Sequence, residues 1–394
     1  MKANRKLALF MAMVFMLTMA VSGCASKQAQ EAQPAAAEEI KIGANLELSG
    51  DVASYGKSAL NGFELALEEI NKTGVLGGKK LKLVTGDNKS DNAESLNIAT
   101  KLVAQDKVVA ILGPLTTGNT LAAVPAVTQA KVPLMTIGGT NPKVTVDESG
   151  KTRDYIFRVC FIDPFQGVVG AKFAATSLNA KKAAIYFDNG TDYSKELARI
   201  FEENFVKLGG QIVAKESYVK TDTDFKATLT KIKKQNPDLL YIPGYYENVG
   251  LIVKQARELG INIPMLGGDG WDSPKLAEIA GAQNLNNTYF TNHYSSQDTD
   301  PAVVAFNAAY KAKYNAEPDG FAALGYDAMK LLADAINRAG AADPEKIKDA
   351  LAATKDFKAV TGTLTMDAQH NPVKAAVIIE MKDGKQTFRE KVQP

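Results

Sequence analysis

Val108-Val109-Ala110-Ile111-Leu112-Gly113-Pro114-Leu115-Thr116-Thr117-Gly118-Asn119-Thr120-Leu121 decides the fold. The apolar run Val108 to Leu112 has the length of a buried strand, and Gly-Pro ends it. From Leu121 to Ala130 the pattern is helical. The turn between them carries two adjacent threonines, a glycine and an asparagine. Such residues cap the free N–H groups of a helix start. The same N–H groups, with hydroxyls beside them, also seat an anion. A strand that runs through a polar turn into a helix is half of a βαβ unit.

Working outward, the alternation continues in both directions. Strand patterns at 40–46, 81–85, 108–112 and 132–137 alternate with helix patterns at 58–71, 93–105 and 121–130. A second series follows. Strands are expected at 157–162, 183–187, 211–218, 239–242 and 263–266, with helices at 165–178, 193–208, 224–234 and 248–259. Two long helices, 301–314 and 321–339, and three β-like segments, 362–366, 375–381 and 386–391, complete the chain. Strands alternating with helices predict an α/β fold with parallel sheets covered on both faces. Two such series predict two doubly wound lobes. They share no sequence repeat, so the likeness between them lies in the fold alone.

Composition bounds the function. The chain has 394 residues, 45% of them apolar, which is ample for a sizeable core. Lys2, Arg5 and Lys6 precede an apolar stretch from Leu7 to Val21, and Ser22-Gly23-Cys24 follows. A basic start, a short apolar run and small residues form an export signal. Val21-Ser22-Gly23-Cys24 resembles a bacterial lipobox, which makes Cys24 the expected lipidation site. Residues 1–23 are then a lipoprotein signal peptide, and 24–39, poor in apolar bulk, a flexible tether. Without residues 1–23 the chain holds 43 basic and 44 acidic residues, and it offers no electrostatic case for nucleic acid.

The chemistry-bearing residues exclude more than they include. The two cysteines are Cys24 and Cys160, and Cys160 sits in an apolar run that marks it as a small buried hydrophobe. The two histidines, His293 and His370, stand apart from the strand-end turns and read as structural. No metal-ligand spacing occurs, and no cofactor is implied. Gly50 to Ser58 looks like a phosphate loop but places five residues between its glycines, where the motif needs four. No catalytic set is visible.

In open α/β sheets ligands bind beyond the carboxyl ends of the strands. The turns there are 49–56, 113–117, 138–140, 188–193, 244–246 and 268–271, and they are rich in glycines, hydroxyls and aromatics. A polar, aromatic cleft without a nucleophile or base favours binding over catalysis. A small zwitterion fits these residue types: hydroxyls and N–H groups for its carboxylate, Asp269 for its ammonium, tyrosines for its flank. A sugar would also use tyrosines and an aspartate. Glu47, in the first turn, reads as a solvated loop charge; turned inward, it would call for a polar ligand.

At these residues the chain resembles the branched-chain amino-acid (Leu/Ile/Val-type) substrate-binding proteins of ABC transporters. The marks are IKIGANLELSGDVASYG, LEEINKTGVLGGKKLKL, ILGPLTTGNT, PLMTIGGTNP, FRVCFIDPFQG, DNGTDYSKELA, PGYYENVG and MLGGDGWDSPKL, in this order from about residue 39 to 390. The resemblance implies a type I periplasmic binding protein fold, two lobes joined by a three-segment hinge. Residues 40–158 and 290–363 would form the first lobe, and 159–289 and 364–394 the second. The crossovers would fall near 157–161, 288–292 and 361–365. It also implies roles. Thr117 would hold the ligand carboxylate, with Thr140 assisting, and Gly138 would offer its carbonyl to the ammonium. Asp269, where some members carry Glu, would pair with that ammonium. Tyr193 and Tyr245 would cover the ligand, and Tyr55 and Phe321 would line the side-chain pocket. The implied partners are an amino-acid ligand, the permease of an ABC transporter and, through a lipid anchor, the membrane; the protein is expected to be a monomer. A sensory module, a binder of another small amide or carboxylate, and an extracytoplasmic hydrolase are the rival readings.

Overall fold

A computed structural model describes residues 39–394, which form one compact unit. The signal peptide, Cys24 and all but the last residue of the tether lie outside the described residues.

The first series builds a five-stranded sheet, whose fifth strand is the segment near 157 that the sequence reading set at the head of the second series. Its elements are β1 (Glu39–Leu46), α1 (Ala53–Thr73), β2 (Lys80–Asp87), α2 (Asn92–Lys101), β3 (Ile111–Leu112), α3 (Thr117–Ala130), β4 (Leu134–Thr136) and β5 (Ile156–Arg158). The strands run parallel in the order β2-β1-β3-β4-β5. The second series supplies α4 (Asp163–Thr176), β6 (Lys182–Asp188), α5 (Asp192–Lys207), β7 (Gln211–Tyr218), α6 (Lys226–Lys234) and β8 (Leu239–Tyr241). It continues with α7 (Tyr246–Glu258), β9 (Met265–Gly267), α8 (Pro274–Ala280) and β10 (Thr288–Asn292). Its five parallel strands are ordered β7-β6-β8-β9-β10, the same winding as in the first sheet.

After β10 come α9 (Pro301–Tyr314), α10 (Gly320–Ala339) and α11 (Pro344–Ala352). A small antiparallel sheet follows, made of β11 (Phe357–Ala359), β12 (Gly362–Met366) and β13 (Pro372–Val373). Then β14 (Ala376–Lys382) and β15 (Lys385–Val392) extend the second sheet antiparallel beyond β10, giving it seven strands. Helix α10 returns to pack on α1, which covers the first sheet. The chain therefore leaves the first sheet, builds the second, returns with α10 and ends in the second.

The central strands are buried on both sides, as the apolar runs demand: every residue of β3, β4, β5, β8, β9 and β10 is buried. The α/β architecture with parallel sheets agrees with the sequence reading. Each doubly wound sheet reverses its strand order once, between β1 and β3 and between β6 and β8. A crevice opens at such a point because the two following helices leave on opposite faces. Glu47 and Gly113 to Thr117 lie at the first crevice; Asp188 to Tyr193 and Pro243 to Tyr245 lie at the second.

Helix α3 begins at Thr117 rather than at Leu121, where apolar periodicity starts. Thr116 is its N-cap, with its hydroxyl 3.4 Å from the Asn119 N–H. Gly113 makes the preceding turn possible. Its φ is +91°, and a Cβ there would stand 2.2 Å from the Asn45 carbonyl oxygen.

Candidate functional site

The two crevices face each other across a cleft of about 680 Å³. Thr116, Gly118 and Asn119 line it from the first sheet, and Asp188, Asp192 and Tyr245 from the second. Contacts bridge its edges. Lys143 Nζ lies 3.2 Å from Asp192 Oδ2 and Lys220 Nζ 3.1 Å from Asp51 Oδ2. The Ser54 and Ser273 hydroxyls are 2.8 Å apart.

The first sheet supplies an anion seat. The N–H groups of Thr117 and Gly118, the first two of α3, have no acceptor within the helix. The Thr117 hydroxyl is buried and has no hydrogen-bond partner, and the same holds for the Thr140 hydroxyl. Gly138 stands between β4 and Thr140; a Cβ on it would lie 2.8 Å both from the Leu115 carbonyl oxygen and from a ring carbon of Phe321. Arg158, fully buried, clamps the same turn. It donates to the carbonyls of Gly139 at 2.6 Å and Asn141 at 3.0 Å, and to the Thr145 hydroxyl at 3.0 Å.

An aromatic wall comes next. Tyr55, at the start of α1, packs on Phe321, the second residue of α10, with ring centroids 4.4 Å apart. It meets Tyr245 edge-on at 6.0 Å, and Tyr245 stacks on Tyr193 at 5.2 Å and 2°. The Tyr55 hydroxyl donates to the Gly270 carbonyl, which joins the first sheet's helix to the loop after β9. Burial holds all three tyrosine hydroxyls well above their ordinary range. They act as neutral donors.

Asp269 closes the ring. It is buried and accepts from Tyr193 Oη at 2.8 Å and Gln166 Nε2 at 3.1 Å. His293 Nε2 lies 3.0 Å from its other oxygen. Burial lowers the His293 pKa to about 4, so at neutral pH the ring is neutral and donates from Nε2. Gln166 Oε1 accepts the Asp269 N–H at 2.7 Å and the Thr291 hydroxyl at 2.6 Å, and so fixes the amide. Sequence reasoning missed Gln166, Thr291 and His293, because none stands in a strand-end turn rich in glycine. His293 follows β10 directly, and that position is its only signal.

Contacts thus chain six of the eight residues named from sequence, Gly138, Phe321, Tyr55, Tyr245, Tyr193 and Asp269. Thr117 and Thr140 stand at the first sheet's crevice with free hydroxyls. One expectation is corrected. Glu47 is not a solvated loop charge: it is fully buried. Its carboxylate accepts from the N–H groups of Leu115 and Thr116, each at 3.1 Å, and from Asn119 Nδ2 at 2.8 Å. Burial raises its pKa, opposed by these donors. Asn119 passes the network on to Asn88 at 3.5 Å, and Asn88 reaches Asn45 at 3.1 Å. Glu47 therefore braces the turn that carries Thr116 and Thr117. Its position between Leu46 and Leu48 at a buried strand end was the available clue.

Cys160 is fully buried, as expected, and burial pushes its thiol up to about 12, which leaves it inert. Among the described residues no three His, Cys, Asp or Glu side chains group to hold a metal. No helix among them is long and apolar enough to cross a membrane.

Comparison with known proteins agrees with the geometry. The family model described as periplasmic binding protein matches residues 39–386. The leucine-, isoleucine-, valine-, threonine- and alanine-binding protein of Pseudomonas aeruginosa is 31% identical over 352 residues, 89% of this chain and 90% of that one. The crystal structure of the branched-chain amino-acid transporter substrate-binding protein LivJ of Streptococcus pneumoniae, in complex with isoleucine, superposes with a TM-score of 0.86. It is 44% identical and covers 91% of this chain and 100% of its own. The leucine-binding protein LivK of Thermotoga maritima gives 0.85 at 38% identity, over 90% of this chain and 99% of its own.

Proposed function

The chain belongs to the periplasmic binding protein family, among the substrate-binding proteins of branched-chain amino-acid ABC transporters, and from that premise we propose that it captures an amino acid between two lobes and delivers it to a permease. The observation that carries this reading is a pair of opposite chemistries, one at each sheet's crevice, joined by the ring contacts from Phe321 through Tyr55, Tyr245 and Tyr193 to Asp269. Two buried hydroxyls without partners, Thr117 in the first turn of α3 and Thr140 in the turn after β4, stand on one side, and a buried carboxylate, Asp269, stands on the other. A zwitterion satisfies both, and neither side alone holds it.

The side-chain pocket is the aromatic wall of Tyr55 and Phe321. Glu47 spends its oxygens on Leu115, Thr116 and Asn119, so it makes no demand for a polar ligand. An aliphatic side chain fits this wall, in keeping with the leucine, isoleucine and valine named for the relatives. We assign the carboxylate to Thr117 and Thr140, and the ammonium to the Gly138 carbonyl and Asp269. Tyr193 and Tyr245 form the cover. We keep the lobe boundaries expected from sequence except at 288–292: β10 is a strand of the second sheet, so that crossover lies after Asn292 and not within 288–292; the crossovers act as the hinge. The protein works outside the cytoplasm, held by a lipid on Cys24, as a monomer and without catalysis.

Titration calorimetry with the proteinogenic amino acids tests the function, with solution scattering of the same samples. The expected result is tight binding of an aliphatic amino acid, accompanied by a smaller radius of gyration. A ligand shifts an open–closed equilibrium only by its differential affinity for the two states, and a ligand held from both sides has that difference. Failure of every amino acid to bind would refute the function; binding without compaction would refute the two-lobe mechanism.

A further inference from the structure

The seam between the two sheets holds a pair of acids that the ligand roles leave unused. Asp272 lies in the loop after β9 and is buried. Its Oδ2 accepts the Gly320 N–H at 2.7 Å and Asn292 Nδ2 at 2.8 Å, and its Oδ1 accepts Gln386 Nε2 at 2.6 Å. Asn292 and Gln386 belong to the second sheet, on β10 and β15. Gly320 does not: it opens α10, which packs on α1 against the first sheet. Its N–H therefore bonds across the seam. It is the first N–H of a helix, which has no acceptor within the helix and favours a negative charge. The approach is close enough to need a glycine. A Cβ on Gly320 would stand 2.7 Å from Asp272 Oδ2 and 2.6 Å from Asn292 Oδ1.

The residue before Gly320 works against this bond. Asp319, half-buried, is the N-cap of α10. Its Oδ1 accepts the Ala322 N–H at 2.9 Å, and its Oδ2 accepts the Ser58 hydroxyl of α1 at 2.5 Å. Burial, and then the charge of Asp272, raise its pKa to about 7. Burial raises Asp272 too, but its three donors oppose this, and Asp272 stays the charged member. The other groups facing the pair bring no relief. Asp269 adds to the repulsion on Asp272. Tyr294, after β10, and Tyr310, on α9, face Asp319 as neutral phenols that burial holds above their ordinary range. Glu317 is paired with Lys311, and Lys57, beside Ser58 on α1, is exposed.

We propose that Asp272 and Asp319 form a latch between the lobes that is complete only when Asp319 carries a proton, so that closing on a ligand takes up one proton from solvent. This rests on the reading that the lobes close on an amino acid. Opening draws the loop of Asp272 away from α10 and returns water to Asp319, whose carboxyl then ionises in its ordinary range. Closing brings the two carboxylates together. The Ala322 N–H occupies Asp319 Oδ1, so the proton goes to Oδ2, which then donates to the Ser58 hydroxyl oxygen. The closed state binds more protons than the open one. Closure, and affinity with it, therefore strengthens as pH falls through about 7. A contact that only braces the fold predicts no such pH response.

The test is titration calorimetry with L-leucine, L-isoleucine and L-valine at about pH 6 and about pH 8, one unit to either side of the expected transition. The samples are the wild-type protein, Asp319→Asn and Gly320→Ala. Wild type should bind about tenfold more tightly at the lower pH. Asp319→Asn keeps the helix cap, since Asn caps as well as Asp, but not the charge. Its affinity should not change with pH and should exceed that of wild type at the higher pH. Gly320→Ala should bind roughly 10–100-fold more weakly at both pH values, because the added methyl meets Asp272 when the seam closes. A wild-type affinity that stays within about twofold between the two pH values, or falls with acid, overturns the proposal even where the variants fail to fold. So does a pH response that Asp319→Asn retains, or a Gly320→Ala affinity within about twofold of wild type. A wild-type protein that binds none of the three amino acids at either pH refutes the proposed function itself, and the latch falls with it.

Discussion

Replacing Glu47 should cost stability and ligand affinity together, by amounts the geometry separates. Its Oε1 lies 3.1 Å from the Thr116 N–H, 3.2 Å from that of Leu115 and 2.8 Å from Asn119 Nδ2, and its Oε2 lies 3.1 Å from the Leu115 N–H. Glu47→Ala takes the carboxylate from four buried donors, the N–H groups of Leu115 and Thr116, the Thr116 hydroxyl and the Asn119 amide. Each unsatisfied donor costs about 1–3 kcal/mol. Relief of the buried charge and entry of water into the space offset part of this. A net loss of about 2–4 kcal/mol is expected. Glu47→Gln retains an acceptor at the Oε1 position, which serves all four donors, and places an amide nitrogen where only the Leu115 N–H faces Oε2. It should cost about 1–2 kcal/mol, one poorly matched group.

The two variants also differ from wild type in pH response. Burial raises the folded pKa of Glu47 above its ordinary 4.5. Its contribution to stability is therefore largest below that value and is lost as pH rises through the folded pKa. The wild-type advantage over Glu47→Gln should narrow as pH rises through that window. Urea unfolding, read by tryptophan fluorescence and circular dichroism, measures the stabilities. Leucine titration on the folded fraction measures affinity, which should fall about tenfold in Glu47→Ala as the Thr116–Thr117 turn loosens. If both variants unfold within about 0.5 kcal/mol of wild type, the range of an ordinary surface change, Glu47 does not brace the turn. If Gln costs as much as Ala, the hydrogen-bond accounting is wrong.

Other predictions follow from single contacts. Asp269→Ala should weaken amino-acid binding by about 2–5 kcal/mol, the cost of removing one partner of a buried charge pair; calorimetry showing near-wild-type affinity would refute the assignment. Lys374 is buried against the Thr361 hydroxyl at 2.5 Å, and burial lowers its pKa to about 8. Between this value and the ordinary 10.5 the folded state has shed a proton that the unfolded chain keeps. Stability relative to Lys374→Met should therefore rise across that window by up to about 3 kcal/mol, and parallel pH profiles of the two proteins would contradict it. Cys24→Ser should release the protein from the membrane fraction without altering ligand affinity, since a lipid chain contributes about 0.8 kcal/mol per buried CH₂; unchanged membrane association would rule out the lipid anchor.

Most of the architecture was legible in the sequence because periodicity reports burial, and nearly every element in the two series buries a face. The strand 211–218 and the helix 301–314 fall where the pattern places them. The failures have a common cause. Helix α3 starts four residues before its apolar pattern because Thr117 to Thr120 face a polar network rather than a hydrophobic core. Helix α8, with seven residues, is too short to show a period, and the five residues of β10 lie in a stretch with no strand alternation.

The same distinction governs the site. Thr117, Thr140, Tyr193, Tyr245 and Asp269 sit in strand-end turns, where topology alone marks a residue as exposed to ligand. Gln166, His293 and Thr291 act on Asp269 from an inner helix turn and from the end of the outermost parallel strand. Sequence separations of 24 to 103 residues bring Gln166, Tyr193 and His293 onto one carboxylate, and no local pattern encodes such a meeting. What does encode it is the winding. Both sheets run in the same strand order, which in the second sets β10 directly beside β9. A side chain leaving the end of β10 must then arrive next to the loop after β9, which carries Asp269. The neighbours of Asp269 are thus a consequence of strand order, and strand order is fixed only when the whole βα series has folded.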